Sequence, residues 1–135
     1  MYYDTEEIMG WQFRNDGFKV VFSQDIPGLV QQHISTDTGR FLQQHGLSLA
    51  NVSNFIFHPG GKKVLDAYRA TLQVADPAFL DATEAVIRAY GNMSAPTVLY
   101  VLQRVLQQGY TTGYGLMLAM GPGFSSEMVL LDMQQ

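Results

Sequence analysis

Blocks of apolar residues, separated by turns and polar stretches, predict five strands and four helices along the chain. Two short apolar runs flank a turn at Asn15-Asp16-Gly17, which is typical of a β-hairpin. The predicted elements are strands 8–13 and 18–22, a helix from 25 to about 45, a strand at 55–57, helices 61–71, 77–90 and 94–107, and strands 114–120 and 126–133. Polar residues 35–39 interrupt the apolar spacing of the first helix. The order β-β-α-β-α-α-α-β-β predicts one layered α/β domain over residues 1–135, with a mixed sheet.

The most informative stretch lies at residues 54–65. The apolar run 55–57 predicts a short buried strand. This strand must end at Pro59, because proline fixes φ and has no N–H for a β-ladder. His58 is therefore predicted at the carboxyl end of a strand, on a turn before a helix. Open α/β sheets place their ligand sites at that position.

A second loop, at residues 90–96, precedes the most apolar helix of the chain and carries Asn92. An imidazole N–H from His58 and an amide N–H from Asn92 can converge on one carbonyl oxygen and stabilise charge there. Spacing alone leaves simpler interpretations open. An isolated histidine is more often a buried structural residue, and an asparagine before a helix is more often a turn or cap residue.

The amino-acid composition limits the classes of function that this chain can have. Charged residues make up 15% of the chain, below the usual ~25%, which suggests an apolar surface that a partner covers. The net charge of −4 gives no reason to expect nucleic acid. No signal peptide or membrane-spanning run is recognisable, so a cytoplasmic location without membrane contact is expected. The chain has no cysteine, which excludes a thiol nucleophile. Its other histidines, His33 and His45, lack partners at ligand spacing, so no metal site is expected.

Several motifs in order carry a resemblance to a known family. His58-Pro59-Gly60-Gly61, Tyr90-Gly91-Asn92-Met93-Ser94 and Gly121-Pro122-Gly123-Phe124 closely resemble the C-terminal region of chalcone and stilbene synthases, the type III polyketide synthases. Asp25-Ile26-Pro27-Gly28 and Gly113-Tyr114-Gly115 fit the same pattern. The resemblance extends from about residue 9 to about residue 132. It implies a thiolase-like fold of two similar α/β halves, of which this chain is similar to the second.

The resemblance also implies a chemistry. The complete enzymes load an acyl group from coenzyme A onto a cysteine of the first half, decarboxylate malonyl-CoA, condense the resulting carbanion with the acyl thioester and cyclise the product. His58 matches the catalytic histidine and Asn92 the catalytic asparagine, two donors for the oxygen of a thioester enolate. Beside the cysteine, His58 would also favour the thiolate. The implied substrates are acyl-CoA and malonyl-CoA, without a covalently bound cofactor.

The family pattern also implies partners for this chain. The N-terminal half with the cysteine would come from the same or a separate chain, in a homo-oligomer, and the isolated chain would not catalyse condensation. The helices at 61–71 and 94–107 are the expected apolar contact surfaces, and self-association of the isolated chain is expected. The alternatives are a non-catalytic thiolase-like binding or assembly module and a hydrolase that uses Ser94 or Ser53. Neither serine lies in a Gly-x-Ser-x-Gly elbow.

The resemblance further implies which residues form the substrate pocket. Glycines let the backbone approach a substrate closely, and proline stiffens a turn. Ser94 matches a pocket-lining serine, although it could instead cap a helix. Two departures from the plant enzymes, Val20 in place of a gatekeeping phenylalanine and Met120 before the glycine turn, predict a tunnel of different shape. Chalcone formation is therefore in doubt, and a pyrone product is equally compatible. The predicted pocket residues are Val20, Ser94, Met120, Gly121, Pro122, Gly123 and Phe124.

Overall fold

The computed structural model describes residues 8–23, 25–121 and 123–134, and the side chains of Val20 and Phe22 are outside this description. Its strands and helices are β1 Met9–Arg14, β2 Gly17–Phe22, α1 Ile26–Gln44, β3 Val52–Phe57, α2 Lys62–Thr71, α3 Asp81–Tyr90, α4 Pro96–Gln108, β4 Gly113–Gly121 and β5 Ser125–Met133. Short 3-10 turns at Leu49–Asn51 and Pro77–Leu80 precede β3 and α3. The predicted order of elements is confirmed.

The central sheet is mixed, as predicted. Strand β3 pairs in parallel with β4, so that Phe55 lies opposite Leu116 and Phe57 opposite Leu118. Strand β5 returns antiparallel to β4 over its full length. Within the described ranges, β1 and β2 pair only with each other, as an antiparallel hairpin. Because β3 and β4 are parallel, their carboxyl ends lie at the same edge of the sheet.

Helices cover both faces of this sheet. Phe55 and Phe57 point to one face, where they join the core with residues of α1 and α2. Ile56 points to the other face and packs with Val86 of α3 and Val101 of α4. This alternation follows from the two-residue period of a strand. The result is a three-layer α/β/α domain. Helix α4 packs on one face of the sheet, against the strands whose carboxyl ends lie at the candidate site.

Helix α1 is continuous through residues 35–39, where the sequence suggested an interruption. Val30, Ile34, Thr38 and Leu42 follow at four-residue spacing and are all buried. This spacing keeps them on one side of the helix. Thr38 takes the position of an apolar residue in that stripe, and for this reason the apolar pattern looked broken.

The expectation of an exposed apolar face is correct for α4 and wrong for α2. The apolar residues Val64, Leu65, Ala67 and Tyr68 of α2 are buried in the same core as residues of α1, so polar side chains remain outside. Lys62 and Asp66 form an ion pair there, with 2.9 Å between Nζ and Oδ2. On α4, in contrast, Leu99 and Leu106 are exposed by 57% and 50%.

Candidate active site

A cavity of about 620 Å³ opens at the carboxyl ends of β3 and β4. His58 follows β3 directly, and residues 119–121 end β4. The loop before α4 brings Asn92 and Ser94 to the same cavity. The structure therefore places the two predicted donor residues, His58 and Asn92, on the wall of one cavity. This is the geometry that the strand-turn-helix pattern indicated.

Three hydrogen bonds fix the end of β3. The N–H of His58 donates to the carbonyl of Leu118 in β4, at 2.8 Å. The buried hydroxyl of Thr83, on α3, donates to the carbonyl of Phe57 at 3.2 Å. The Tyr68 hydroxyl, on α2, lies 3.5 Å from the His58 carbonyl, a long hydrogen bond. The sheet and both helical layers thus hold the residue that carries the imidazole.

Burial also sets the charge states around this strand end. It lowers the pKa of the His58 imidazole, because removal from water disfavours the charged form. A neutral imidazole offers one N–H donor and one acceptor nitrogen. Burial raises the pKa of the Tyr68 hydroxyl, which therefore stays protonated and keeps its donor.

The Asn92 carboxamide is held at both of its ends. Its Nδ2 donates to the carbonyl of Gly60 at 3.2 Å, and its Oδ1 accepts the N–H of Ser94 at 2.8 Å. Gly60 has a φ of +57°, and a Cβ there would lie 3.2 Å from the Val64 side chain. Both features favour glycine at position 60. Its carbonyl links the loop of Asn92 to the turn after His58.

The loop before α4 is stabilised by the helix that it precedes. The fully buried hydroxyl oxygen of Thr97 accepts the N–H of Met93 at 2.8 Å, and the N–H of Thr97 donates to the Ser94 carbonyl at 3.0 Å. Ser94 has a φ of 65°. The cap position of α4 is Ala95, without a side-chain hydrogen bond, so the Ser94 side chain is on the cavity wall and does not cap the helix.

The predicted wall residues divide into three groups. Met120, Gly121 and Ser94 line the cavity. Gly123 and Phe124 do not: Phe124 is fully buried in the core, and the Gly123 N–H donates to the Met9 carbonyl at 2.7 Å. Pro122 and the side chain of Val20 lie outside the described residues.

Sequence reasoning missed several residues of this cavity. Ser125 and Glu127 of β5 lie opposite Gly121 and Ala119 in the antiparallel register, so the turn signal at 121–123 contained enough information to find them. The contribution of β1 depends on how the hairpin docks, which no local pattern gives. The lining residues that were not predicted are Met9, Gly10, Trp11, Ile26, Gly60, Val64, Ala95, Val98, Ala119, Ser125 and Glu127.

A second cavity, of about 610 Å³, lies at the opposite end of β3. The buried Asn54 beside it donates to the Thr111 carbonyl at 2.7 Å and accepts the Thr111 N–H at 3.0 Å, so its amide is satisfied within the fold. Over residues 8–23, 25–121 and 123–134, no three His, Cys, Asp or Glu side chains lie close enough together to bind a metal ion. In the same residues no helix combines the length and apolarity needed to span a bilayer.

This fold belongs to the thiolase-like class. The structure superimposes on the crystal structure of 1,3,6,8-tetrahydroxynaphthalene synthase from Streptomyces coelicolor A3(2), a bacterial type III polyketide synthase, with a TM-score of 0.91 and 26% identity. All of this chain and 39% of the crystallised chain are covered.

Sequence comparison identifies the family. The model of the C-terminal domain of chalcone and stilbene synthases matches residues 2–134, and the chain belongs to this family. A chalcone synthase-like protein of Bacillus subtilis (strain 168) is 44% identical over 97% of this chain and 36% of its own length. The 1,3,6,8-tetrahydroxynaphthalene synthase of Streptomyces peucetius subsp. caesius is 41% identical over 97% of this chain and 35% of its own. The chain thus spans about a third of these relatives.

Proposed function

We propose that this chain is the C-terminal half of a decarboxylating, condensing acyltransferase that joins malonyl-CoA to an acyl group from a coenzyme A starter. The supporting observation is that His58 and Asn92 line one cavity and are connected through the carbonyl of Gly60. The cysteine that carries the acyl group would come from the N-terminal half, so the isolated chain would not condense substrates. The cytoplasmic location and the homo-oligomeric state remain predictions.

In this proposal His58 and Asn92 stabilise the enolate formed when malonyl-CoA loses carbon dioxide. A neutral His58 keeps one N–H for the enolate oxygen. The Asn92 amide has two N–H groups, of which the structure assigns one to Gly60. The second can donate to the same oxygen. Fixed donors that point at such charge stabilise it strongly, and loss of one typically lowers the rate about 100- to 1000-fold.

The test needs both halves of the enzyme. We define the reassembled enzyme as this chain bound to the N-terminal part of the Streptomyces peucetius relative, the part that this chain does not cover. Products formed from malonyl-CoA would be measured by mass spectrometry. His58→Ala should lower product formation about 100- to 1000-fold. His45→Ala is the matched control, because His45 is exposed and its ring packs on Phe41, away from the cavity.

The alternative, a non-catalytic assembly module, predicts a different result. The N-terminal part would then catalyse the reaction without help from His58, and His58→Ala would leave product formation unchanged. Product from the pure chain alone, without the N-terminal part, would contradict the proposal that both halves are needed for condensation.

A further inference from the structure

Glu127, near the start of β5, places a carboxylate on the wall of the candidate active-site cavity. Among the described residues that line this cavity, His58 and Glu127 are the two with ionisable side chains. Neither of the ion pairs found in the described part of the chain includes Glu127. Its side chain is exposed, so a substrate in the cavity can reach the carboxylate. An ionised carboxylate accepts hydrogen bonds and protons.

The alternation of side chains along the strands directs Glu127 to the face of the sheet on which α4 packs. Leu131 of β5 packs with Ile56 on this face, whereas Leu130 belongs to the core on the opposite face. Because side chains alternate along a strand, Glu127 points to the same face as Leu131. By the same alternation His58, two residues after Ile56, also points to this face. The imidazole and the carboxylate therefore lie on one side of the sheet.

The register places His58 and Glu127 in one row across the sheet. Phe57 lies opposite Leu118, and the His58 N–H donates to the Leu118 carbonyl. His58 therefore lies beside Ala119, which is opposite Glu127. Neighbouring strands are about 4.8 Å apart, which puts the Cα atoms of His58 and Glu127 roughly 10 Å apart. Since the side chain between them is only the methyl group of Ala119, substrate atoms above this methyl group are within reach of both side chains.

We propose that Glu127 is the general base that closes the ring of the polyketide chain made by condensation. The inference rests on the proposed function, which supplies a linear polyketide held as a thioester. The alternating ketones of such a chain form enols, and an enol oxygen that attacks the thioester has to lose its proton. His58 and Asn92 hold the thioester oxygen on one side of the reacting carbon, and Glu127 accepts the proton on the other side.

This ring closure needs no further reactant. The Glu127 carboxylate takes the proton of the enol hydroxyl while the enol oxygen forms a C–O bond to the thioester carbon. His58 and Asn92 stabilise the negative charge that develops on the thioester oxygen. Collapse of this intermediate breaks the C–S bond, and the leaving thiolate takes the proton back from Glu127. The products are a pyrone, which is a ring lactone, and the free thiol.

The test measures the ratio of ring product to open-chain acid that the reassembled enzyme forms from malonyl-CoA, by mass spectrometry of samples kept at neutral pH. Hydrolysis releases the open-chain acid where ring closure is slow. Glu127→Gln preserves the size of the side chain and removes the base, so the ratio should fall about 100-fold. The ratio does not depend on total turnover, so a general loss of activity does not imitate this effect.

Asp132→Asn is the matched control for Glu127→Gln. It makes the same change from carboxylate to amide at an exposed position of the same strand. Asp132 lies opposite Tyr114, at the end of β5 that is remote from the cavity. The ratio of ring product to open-chain acid should therefore stay at the wild-type value.

Chemical rescue separates a base from a residue that only shapes the cavity. Glu127→Ala should also lose ring product, and added formate should restore part of it, because formate fits the vacated space and accepts the proton. Formate should leave the ratio of the wild-type enzyme unchanged. If Glu127→Ala loses ring product and formate restores none, Glu127 only shapes the cavity and the proposal is overturned.

Other outcomes separate this inference from the proposed function. An unchanged ratio in Glu127→Gln overturns the inference and leaves Glu127 as a charge that protects the exposed edge of β5 from pairing. A wild-type enzyme that releases only open-chain acid overturns it as well. If Glu127→Gln lowers the ratio while His58→Ala leaves product formation unchanged, the role of Glu127 stands and that of His58 fails. If His58→Ala lowers product formation and Glu127→Gln leaves the ratio unchanged, the proposed function stands and this inference fails.

Discussion

At the scale of single residues, Gly60 has a left-handed backbone conformation beside the site. Its φ is +57°, and a Cβ there would lie 3.2 Å from the Val64 side chain, which is a tight contact. Gly60→Ala should lower the free energy of unfolding by about 1–2 kcal/mol, the usual cost of a left-handed conformation for an L-residue. Urea unfolding followed by circular dichroism measures this change.

The neighbouring Gly61 provides the control for Gly60. Its backbone is extended, and a Cβ there would meet nothing within 4 Å. Gly61→Ala should therefore change the free energy of unfolding by much less than Gly60→Ala. Equal effects of the two substitutions would show that left-handed strain is not the reason for glycine at position 60.

His58 should make stability depend on pH. Burial lowers its pKa in the folded chain, whereas in the unfolded chain its pKa is about 6.5. As the pH falls below that value, His58 is protonated more readily in the unfolded chain than in the folded chain. The free energy of unfolding therefore decreases toward acid pH. Above that value His58 is neutral in both states and contributes nothing to the pH dependence. Urea unfolding between pH 5 and 8 measures this effect.

The assignment to His58 is checked by substitution. His58→Gln should reduce the loss of stability toward acid pH, and His45→Gln, at an exposed position, should not. Two results would contradict a lowered pKa of His58. One is a His58→Gln chain that loses as much stability toward acid pH as the wild type, and the other is a wild-type chain that becomes more stable toward acid pH.

At the scale of elements, the first turn of α4 should control the order of the Asn92 loop. Thr97 accepts the N–H of Met93 through its buried hydroxyl. Thr97→Val should remove this bond and cost about 1–3 kcal/mol, because a buried donor is left unsatisfied. Hydrogen exchange should show lost protection of the Met93 amide. Thr97→Ser keeps the hydroxyl and should keep the protection, and equal exchange in both variants would count against this role.

The sequence alone was sufficient to predict the two loops that carry His58 and Asn92. Pro59 and the glycine pair fixed the end of β3, and Gly91 the end of α3, so the loop positions of His58 and Asn92 followed from local rules. The rest of the wall depends on packing between distant elements. Trp11 reaches the cavity through the docking of a hairpin, and Phe124 lies in the core although it directly follows the Gly-Pro-Gly motif of the sequence. Neither position has a local periodic signal.

At the scale of the whole molecule, the exposed apolar side chains of α4 should cause self-association of the isolated chain. Leu99 and Leu106 are exposed, and contact of their apolar surface with water is unfavourable. We expect dimers or larger species at high micromolar concentration in sedimentation velocity. Leu106→Glu should shift the chain toward monomer, and Ala70→Glu, on the exposed side of α2, should not. A wild-type chain that sediments only as monomer would contradict this prediction.

The central claim is that His58 and Asn92 act together on one enolate oxygen. The most direct measurement is the rate at which the reassembled enzyme decarboxylates malonyl-CoA, with no starter present. The account predicts that His58→Ala and Asn92→Ala each lower this rate about 100-fold or more, and that the double variant falls short of the product of the two effects. Decarboxylation at the wild-type rate in either single variant would contradict the account.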